Sequence, residues 1–128
     1  MIDHIALGAN SESNSDKFFI QLLGLKKIRD KIVSADLMEK FFGLKKEHKL
    51  VNYGSDTITF EVFISDDDTK VKDLYTHPCL LIENRDEFVK KALSLGYTTI
   101  KVPRDDGTGY FLFIRDSFQN LYEIKEKE

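Results

Sequence analysis

The sequence of 128 residues has one cysteine, no long apolar run and little net charge, and each absence excludes something. The single cysteine, Cys79, excludes an intrachain disulfide and is typical of a reducing compartment, so we expect a cytoplasmic location. No apolar stretch approaches the ~20 residues that cross a bilayer, and we find no basic-then-apolar signal pattern. The net charge of −3 gives no electrostatic reason to expect nucleic acid or a membrane as partner.

Short apolar strands and amphipathic helices do run through the chain. The periodicity predicts an α+β fold with strands at residues 3–9, 26–33, 49–53, 57–65, 78–83, 98–102, 109–115 and 121–125, and helices at 13–23 and 85–95. Ser13 and Asn84 are predicted to cap the two helices, and Gly24 and Gly96 to end them. A further amphipathic helix is expected within residues 34–46.

The second half of the chain repeats the first. Each half reads β-α-β-β-β and opens with a histidine, His4 or His77, ahead of an apolar strand. Each half ends in a strand with an aromatic–Glu–aliphatic triplet, centred on Glu61 or Glu123. We therefore expect a single domain over residues 1–128, made of two βαβββ modules at about 1–66 and 75–128.

Strand alternation places the repeated polar residues on one face. Because neighbouring side chains point to opposite sides of a strand, His4, Glu61, His77 and Glu123 all fall on the face that their helix does not cover. A lone buried carboxylate is costly, whereas a divalent metal ion would satisfy all four groups together. Each residue alone also fits a solvated strand surface, but the matched positions favour a metal site in a cavity around which the sheet curls.

Two other polar residues are interpreted as structural. His48 has no counterpart in the second half and lies in the charged stretch KKEHK, so we expect it to be solvated. Cys79 shares a face with His77 but has no identifiable base beside it, so we expect a small core residue and not a nucleophile.

Several motifs together carry a family resemblance. DHIAL, FFIQLLGL, HPCLLIEN, ALSLGY and FLFIRDSFQNLYEIKE span nearly the whole chain. On these residues the sequence resembles the vicinal oxygen chelate superfamily, which includes glyoxalase I, methylmalonyl-CoA epimerase, fosfomycin-resistance proteins, extradiol dioxygenases and bleomycin-binding proteins. The resemblance implies paired βαβββ modules around a metal whose ligands come from the first and fourth strand of each module. Those positions are His4, Glu61, His77 and Glu123, a set similar to that of bacterial glyoxalase I.

The resemblance also implies a chemistry. Two imidazoles and two carboxylates suit Ni²⁺, Co²⁺, Zn²⁺ or Mn²⁺, which would polarise a carbonyl oxygen while Glu123 or Glu61 moves the α-proton. A glyoxalase- or epimerase-like lyase or isomerase acting on a small molecule is therefore expected. Gln21 and Ser65 stand where glyoxalase I carries an Arg and an Asn for glutathione, so glutathione is not the expected carrier.

Other functions and an assembly also follow from the resemblance. One alternative is a non-catalytic bleomycin-type binding protein, and another is a fosfomycin-type transferase with three ligands, in which Glu61 would be surplus. Members of the superfamily often pair modules across two chains, so we expect a homodimer. The extra helix has an apolar face, which we expect either to form the dimer contact or to cover the cavity. This face consists of Leu37, Met38, Phe41, Phe42 and Leu44.

Overall fold

The structure, a computed structural model, describes residues 2–128. The chain divides into two compact units, the first ending at Lys70 and the second being Val71–Glu128. Each unit contains one four-stranded sheet. No helix among the described residues is long and apolar enough to cross a membrane.

The first unit follows the β-α-β-β-β plan with one added helix. Its elements are β1 (Ile5–Ala9), α1 (Glu12–Asp16) continued by a π-helical segment (Lys17–Leu22), β2 (Lys26–Val33), α2 (Ala35–Phe42), β3 (His48–Gly54) and β4 (Thr59–Ile64). The strand order is β1-β4-β3-β2, with β1 parallel to β4 and the other pairs antiparallel.

The second unit repeats this plan without the added helix. Its elements are β5 (Cys79–Ile82), α3 (Arg85–Ser94), β6 (Thr99–Pro103), β7 (Tyr110–Arg115) and β8 (Leu121–Glu126). The order β5-β8-β7-β6, with β5 parallel to β8, matches that of the first unit. The predicted α+β class and βαβββ plan are confirmed, while most element ends differ from the prediction by one or two residues.

The first helix differs most from its prediction. It is capped by Ser11, whose Oγ accepts a hydrogen bond from the Asn14 amide at 3.1 Å, so Ser13 as N-cap was wrong. Beyond Asp16 the hydrogen bonds widen to π-helical spacing, as where the Leu23 amide donates to the Phe18 carbonyl. Gly24 ends the segment with a φ of 74°, the left-handed conformation that glycine adopts without steric cost.

Apolar side chains of this helical segment form the core with one face of the first sheet. Phe18, Phe19 and Leu22 are buried, and Phe19 stacks on Tyr53 with ring centroids 5.0 Å apart. Tyr53 donates its hydroxyl hydrogen to Asp16 Oδ1 at 2.6 Å. The alternation in β4 fits this arrangement, because Phe60, Val62 and Ile64 are buried and the residues between them are half-buried.

Helix α2 packs against the opposite face of the same sheet. Ser34 caps it by accepting from the Leu37 amide, and Gly43 ends it in the left-handed conformation. Met38 is buried in a cluster with Val33 and Leu50, and Phe63 packs against this cluster. Phe63 lies on the face that also bears Glu61, two residues earlier in β4.

A buried carboxylate fixes the turn between β7 and β8. Asp116 accepts hydrogen bonds from the Phe118 and Asn120 amides, the Asn120 side chain and the Tyr122 hydroxyl. Burial raises the pKa of Asp116 above 3.8, against the opposing effect of these donors. Because Tyr122 immediately precedes Glu123, this network sets the position of the predicted ligand along β8.

Candidate functional site

The first unit brings two of the four predicted ligands together. His4 lies just before β1, and its Nε2 is 3.6 Å from Oε1 of Glu61 in β4. His4 Nδ1 lies 2.9 Å from Oδ2 of Asp3. The hydrogen bond to Asp3 and the nearby charge of Glu61 raise the pKa of the imidazole above 6.5, against a smaller lowering by desolvation.

In the second unit, the other two predicted ligands share a neighbour. His77 lies two residues before β5, where its Nδ1 is 2.8 Å from the Tyr75 carbonyl oxygen. Its ring packs edge-on against Phe113, with centroids 5.4 Å apart. Phe113 is the cross-strand partner of Glu123 in β8, so His77 and Glu123 flank the same aromatic ring. Within the described part of this unit, they form no direct ion pair.

The orientation of both imidazoles suits metal binding. In each histidine Nδ1 faces an oxygen, a carboxylate at His4 and a carbonyl at His77, which leaves the Nε2 lone pair for an ion. Each unit thus offers one imidazole nitrogen and one carboxylate. Within either unit, the described residues contain no group of three His, Cys, Asp or Glu side chains placed to hold a metal.

Asn52 belongs to the surroundings of Glu61 and was missed by sequence reasoning. The β3–β4 register places Asn52 directly opposite Glu61, so their side chains lie on the same face. Asn52 is only 5% exposed. The sequence feature that could have indicated it is a single polar residue within the apolar run LVNYG. The strand pattern alone does not show that this residue lies beside Glu61.

Two sequence predictions outside the metal set were wrong. His48 is buried and not solvated. It is the cross-strand partner of Val33, on the face of the sheet that α2 covers, and its Nδ1 lies 2.8 Å from the Lys46 carbonyl oxygen. Cys79 is exposed and not in the core, because it begins edge strand β5 on the face away from the better-covered Leu80. Partial desolvation and the nearby charge of Glu123 raise the pKa of the Cys79 thiol.

A cavity of about 350 Å³ lies elsewhere in the first unit, at the end of the sheet where β3 begins. Its walls include His48, Lys49 and Ile64, together with Glu12 from α1. Neither His4 nor Glu61 lines this cavity, so it is separate from the predicted ligand pair.

Comparison with solved structures identifies the fold. The chain aligns with a glyoxalase family protein from Enterococcus faecalis at a TM-score of 0.71 and 21% identity, covering 97% of this chain and 95% of that one. It aligns with the fosfomycin resistance protein FosX from Listeria monocytogenes at a TM-score of 0.71 and 17% identity, covering 100% and 93%. A mutant of the Listeria protein, solved with Mn(II) and 1S,2S-dihydroxypropylphosphonic acid, aligns at a TM-score of 0.70 and 16% identity, covering 97% and 87%.

The chain therefore has the vicinal oxygen chelate fold, as the sequence resemblance implied. Both groups of similar structures, the glyoxalase family proteins and the FosX proteins, are members of that superfamily. No family model and no curated protein matches the sequence. At 11% to 21% identity, the structural likeness defines the fold and leaves the activity to be argued from the site.

Proposed function

We propose that this chain is a metal-dependent enzyme that transfers a proton next to a carbonyl of a small molecule, a lyase or isomerase of the glyoxalase or epimerase type. The observation that carries the proposal is the pair of His4 and Glu61, in which Nε2 faces the carboxylate while Asp3 holds Nδ1. Metal-ligating histidines commonly donate their second nitrogen to a carboxylate or carbonyl oxygen. His77, held by the Tyr75 carbonyl, has the same arrangement.

The proposed ligands are His4, Glu61, His77 and Glu123. Their two nitrogen and two oxygen donors fit a borderline divalent ion such as Ni²⁺, Co²⁺, Zn²⁺ or Mn²⁺, and the Mn(II) complex of the similar Listeria protein supports a divalent metal. When bound, such an ion supplies Lewis-acid polarisation of a carbonyl oxygen. Glu61 or Glu123 takes the α-proton, which must come within hydrogen-bonding reach of the carboxylate.

Glutathione is not the proposed carrier of the substrate. The exposed Gln21 replaces the Arg of glyoxalase I, and an uncharged amide cannot supply a charge-assisted, bidentate contact. Ser65 donates its hydroxyl hydrogen to Asp67 at 3.1 Å and is already used within its own turn.

The cellular location and the assembly remain predictions. A cytoplasmic location follows from the cysteine content of the sequence. A homodimer is supported by the exposed apolar side chains of α2, namely Leu37, Phe41 and Phe42, which a second copy could cover.

A fosfomycin-resistance-type transferase is the second candidate. The structural likeness to FosX proteins, at TM-scores of 0.67 to 0.71, favours it. Such a site would need only His4, His77 and Glu123, and Glu61 would not be a ligand. A non-catalytic bleomycin-type binding protein is less well supported, because binding proteins of that type generally lose the metal residues.

Metal analysis of the purified protein tests these proposals. We expect about one divalent ion per chain, lost in His77→Ala and Glu123→Ala while the far-ultraviolet circular dichroism is unchanged. Glu83→Ala, which removes an exposed carboxylate outside the ligand set, is the matched control and should retain the metal. Undiminished metal in both ligand variants would contradict the assignment. Full metal retention in Glu61→Ala would favour the three-ligand transferase.

A further inference from the structure

We propose that the cavity at the start of β3 binds a small aliphatic amine in its ammonium form. The site lies wholly within the first unit and is independent of the proposed metal site, because neither His4 nor Glu61 lines it. Its volume of about 350 Å³ falls within the range of sites for small ligands.

The two lysines in the cavity wall already have partners. Lys49 Nζ donates to Glu12 Oε1 at 2.7 Å, while Oε2 of the same carboxylate accepts from Lys27 at 2.8 Å. Lys46 Nζ donates to the Ser65 carbonyl oxygen at 2.8 Å. Because oxygens of the protein hold both ammonium groups, neither is reserved for an anionic ligand.

Two carboxylates in the wall are unpaired. Glu47 and Asp66 make no ion pair or hydrogen bond with any residue in the range 2–128. The wall carries three carboxylates, those of Glu12, Glu47 and Asp66, against the ammonium groups of Lys46 and Lys49. An ionised carboxylate can only accept hydrogen bonds, so the excess negative charge favours a cationic ligand that donates them.

His48 provides a third acceptor in the wall. The residue is 7% exposed, and its Nδ1 lies 2.8 Å from the Lys46 carbonyl oxygen. Because a carbonyl oxygen only accepts, Nδ1 of the neutral ring carries the hydrogen and Nε2 is an acceptor. Nε2 makes no hydrogen bond within residues 2–128 and is not sealed in the core, so it remains open to a donor in the cavity.

The apolar part of the wall fits a short alkyl chain. Ile32 and Ile64 both line the cavity and are the cross-strand partners of Lys49, so all three side chains lie on one face of the sheet. An ammonium group has three donors, and a chain attached to it can pack on the isoleucines. No three His, Cys, Asp or Glu side chains among the described residues are placed to hold a metal, so an organic cation fits this site better than a metal ion.

Three probes of equal chain length separate charge from apolar contact. These are n-butylammonium, 1-butanol and butyrate, which carry a positive charge, no charge and a negative charge. Isotope-labelled protein is titrated with each probe by NMR at low ionic strength, because salt screens interactions at an open site. The backbone amide resonances of His48, Lys49 and Asp66 report binding in the cavity.

We expect saturable binding of n-butylammonium with a dissociation constant of about 1 mM, and binding of the other two probes at least about tenfold weaker. Glu47→Gln and Asp66→Asn should each weaken n-butylammonium about three- to tenfold, because the amide keeps the shape but loses the charge. Asn suits position 66, where φ is 60°, since it tolerates the left-handed conformation. Asp68→Asn, which removes an exposed carboxylate outside the wall, is the matched control and should leave binding unchanged.

Four results would overturn the proposal. They are equal affinity for the three probes, no saturable binding of n-butylammonium up to about 50 mM, unchanged binding in both the Glu47 and Asp66 variants, and resonance shifts centred on His4 and Glu61. The last result would place the amine at the proposed metal site.

Discussion

Removing one hydroxyl group, in Tyr122→Phe, should destabilise the protein measurably. The Tyr122 hydroxyl is fully buried and donates to Asp116 Oδ2 at 2.8 Å. A hydrogen bond to a charged group contributes about 1.5–3 kcal/mol, and its loss leaves a buried carboxylate with one donor fewer. At an unfolding entropy of about 2.1 cal/mol/K per residue, this corresponds to a fall in Tm of roughly 6–11 °C.

Calorimetric unfolding at pH 7 measures the change directly. Tyr75→Phe is the matched control, because Tyr75 is 85% exposed, and its Tm should stay within about 2 °C of the wild type. A loss below about 0.5 kcal/mol in Tyr122→Phe would refute the reasoning, since a buried charge–hydroxyl contact cannot be that weak.

Two further predictions concern stability. Met38→Ala should lower the free energy of unfolding in urea by about 2–4 kcal/mol through the cavity left beside Val33 and Leu50, while the exposed Leu37→Ala should cost under about 1 kcal/mol. The second prediction compares the free energy of unfolding of the wild type with that of Asp116→Asn. The difference should fall as pH rises above 3.8, by at most about 1.4 kcal/mol per pH unit. Burial raises the folded-state pKa of Asp116, so the folded protein binds more protons than the unfolded chain in this range. Met38→Ala with wild-type stability would contradict the first prediction. A stability difference between the wild type and Asp116→Asn that rises with pH would contradict the second.

Local patterns predicted the strands and most caps, and long-range packing set the rest. The alternation of apolar and polar residues in β4 is a property of neighbours, so the burial of Phe60 and Val62 could be predicted from sequence. Asn84, which accepts from the Glu87 amide, is a cap recognisable from four residues. The π-helical widening after Asp16 could not be predicted, since nothing in the local sequence distinguishes it from an α-helix.

The same division applies to the candidate site. The face shared by Glu61 and its neighbours follows from strand alternation, and the sequence placed His4 beside the strand that pairs with β4. The burial of His48 depends on α2 folding back over the sheet, a contact that no local pattern encodes. The proximity of Asn52 to Glu61 follows from the β3–β4 register, which cannot be read from either strand alone.

The two glutamates have different neighbours, which separates their proposed roles. Glu61 has the amide of Asn52 as its cross-strand partner, whereas Glu123 has Phe113, whose ring packs against His77. An amide can orient a substrate oxygen beside a base, while an aromatic ring can only hold the imidazole in place. Under the proposed function, Glu61 is therefore the base and Glu123 primarily a ligand. Glu61→Gln, which unlike Glu61→Ala keeps an oxygen that can bind the ion but cannot accept the α-proton, should lower kcat while most of the metal is retained, and Glu123→Gln should lose metal first. Metal content and kcat measured for both variants test this, and the reverse order would assign the base to Glu123.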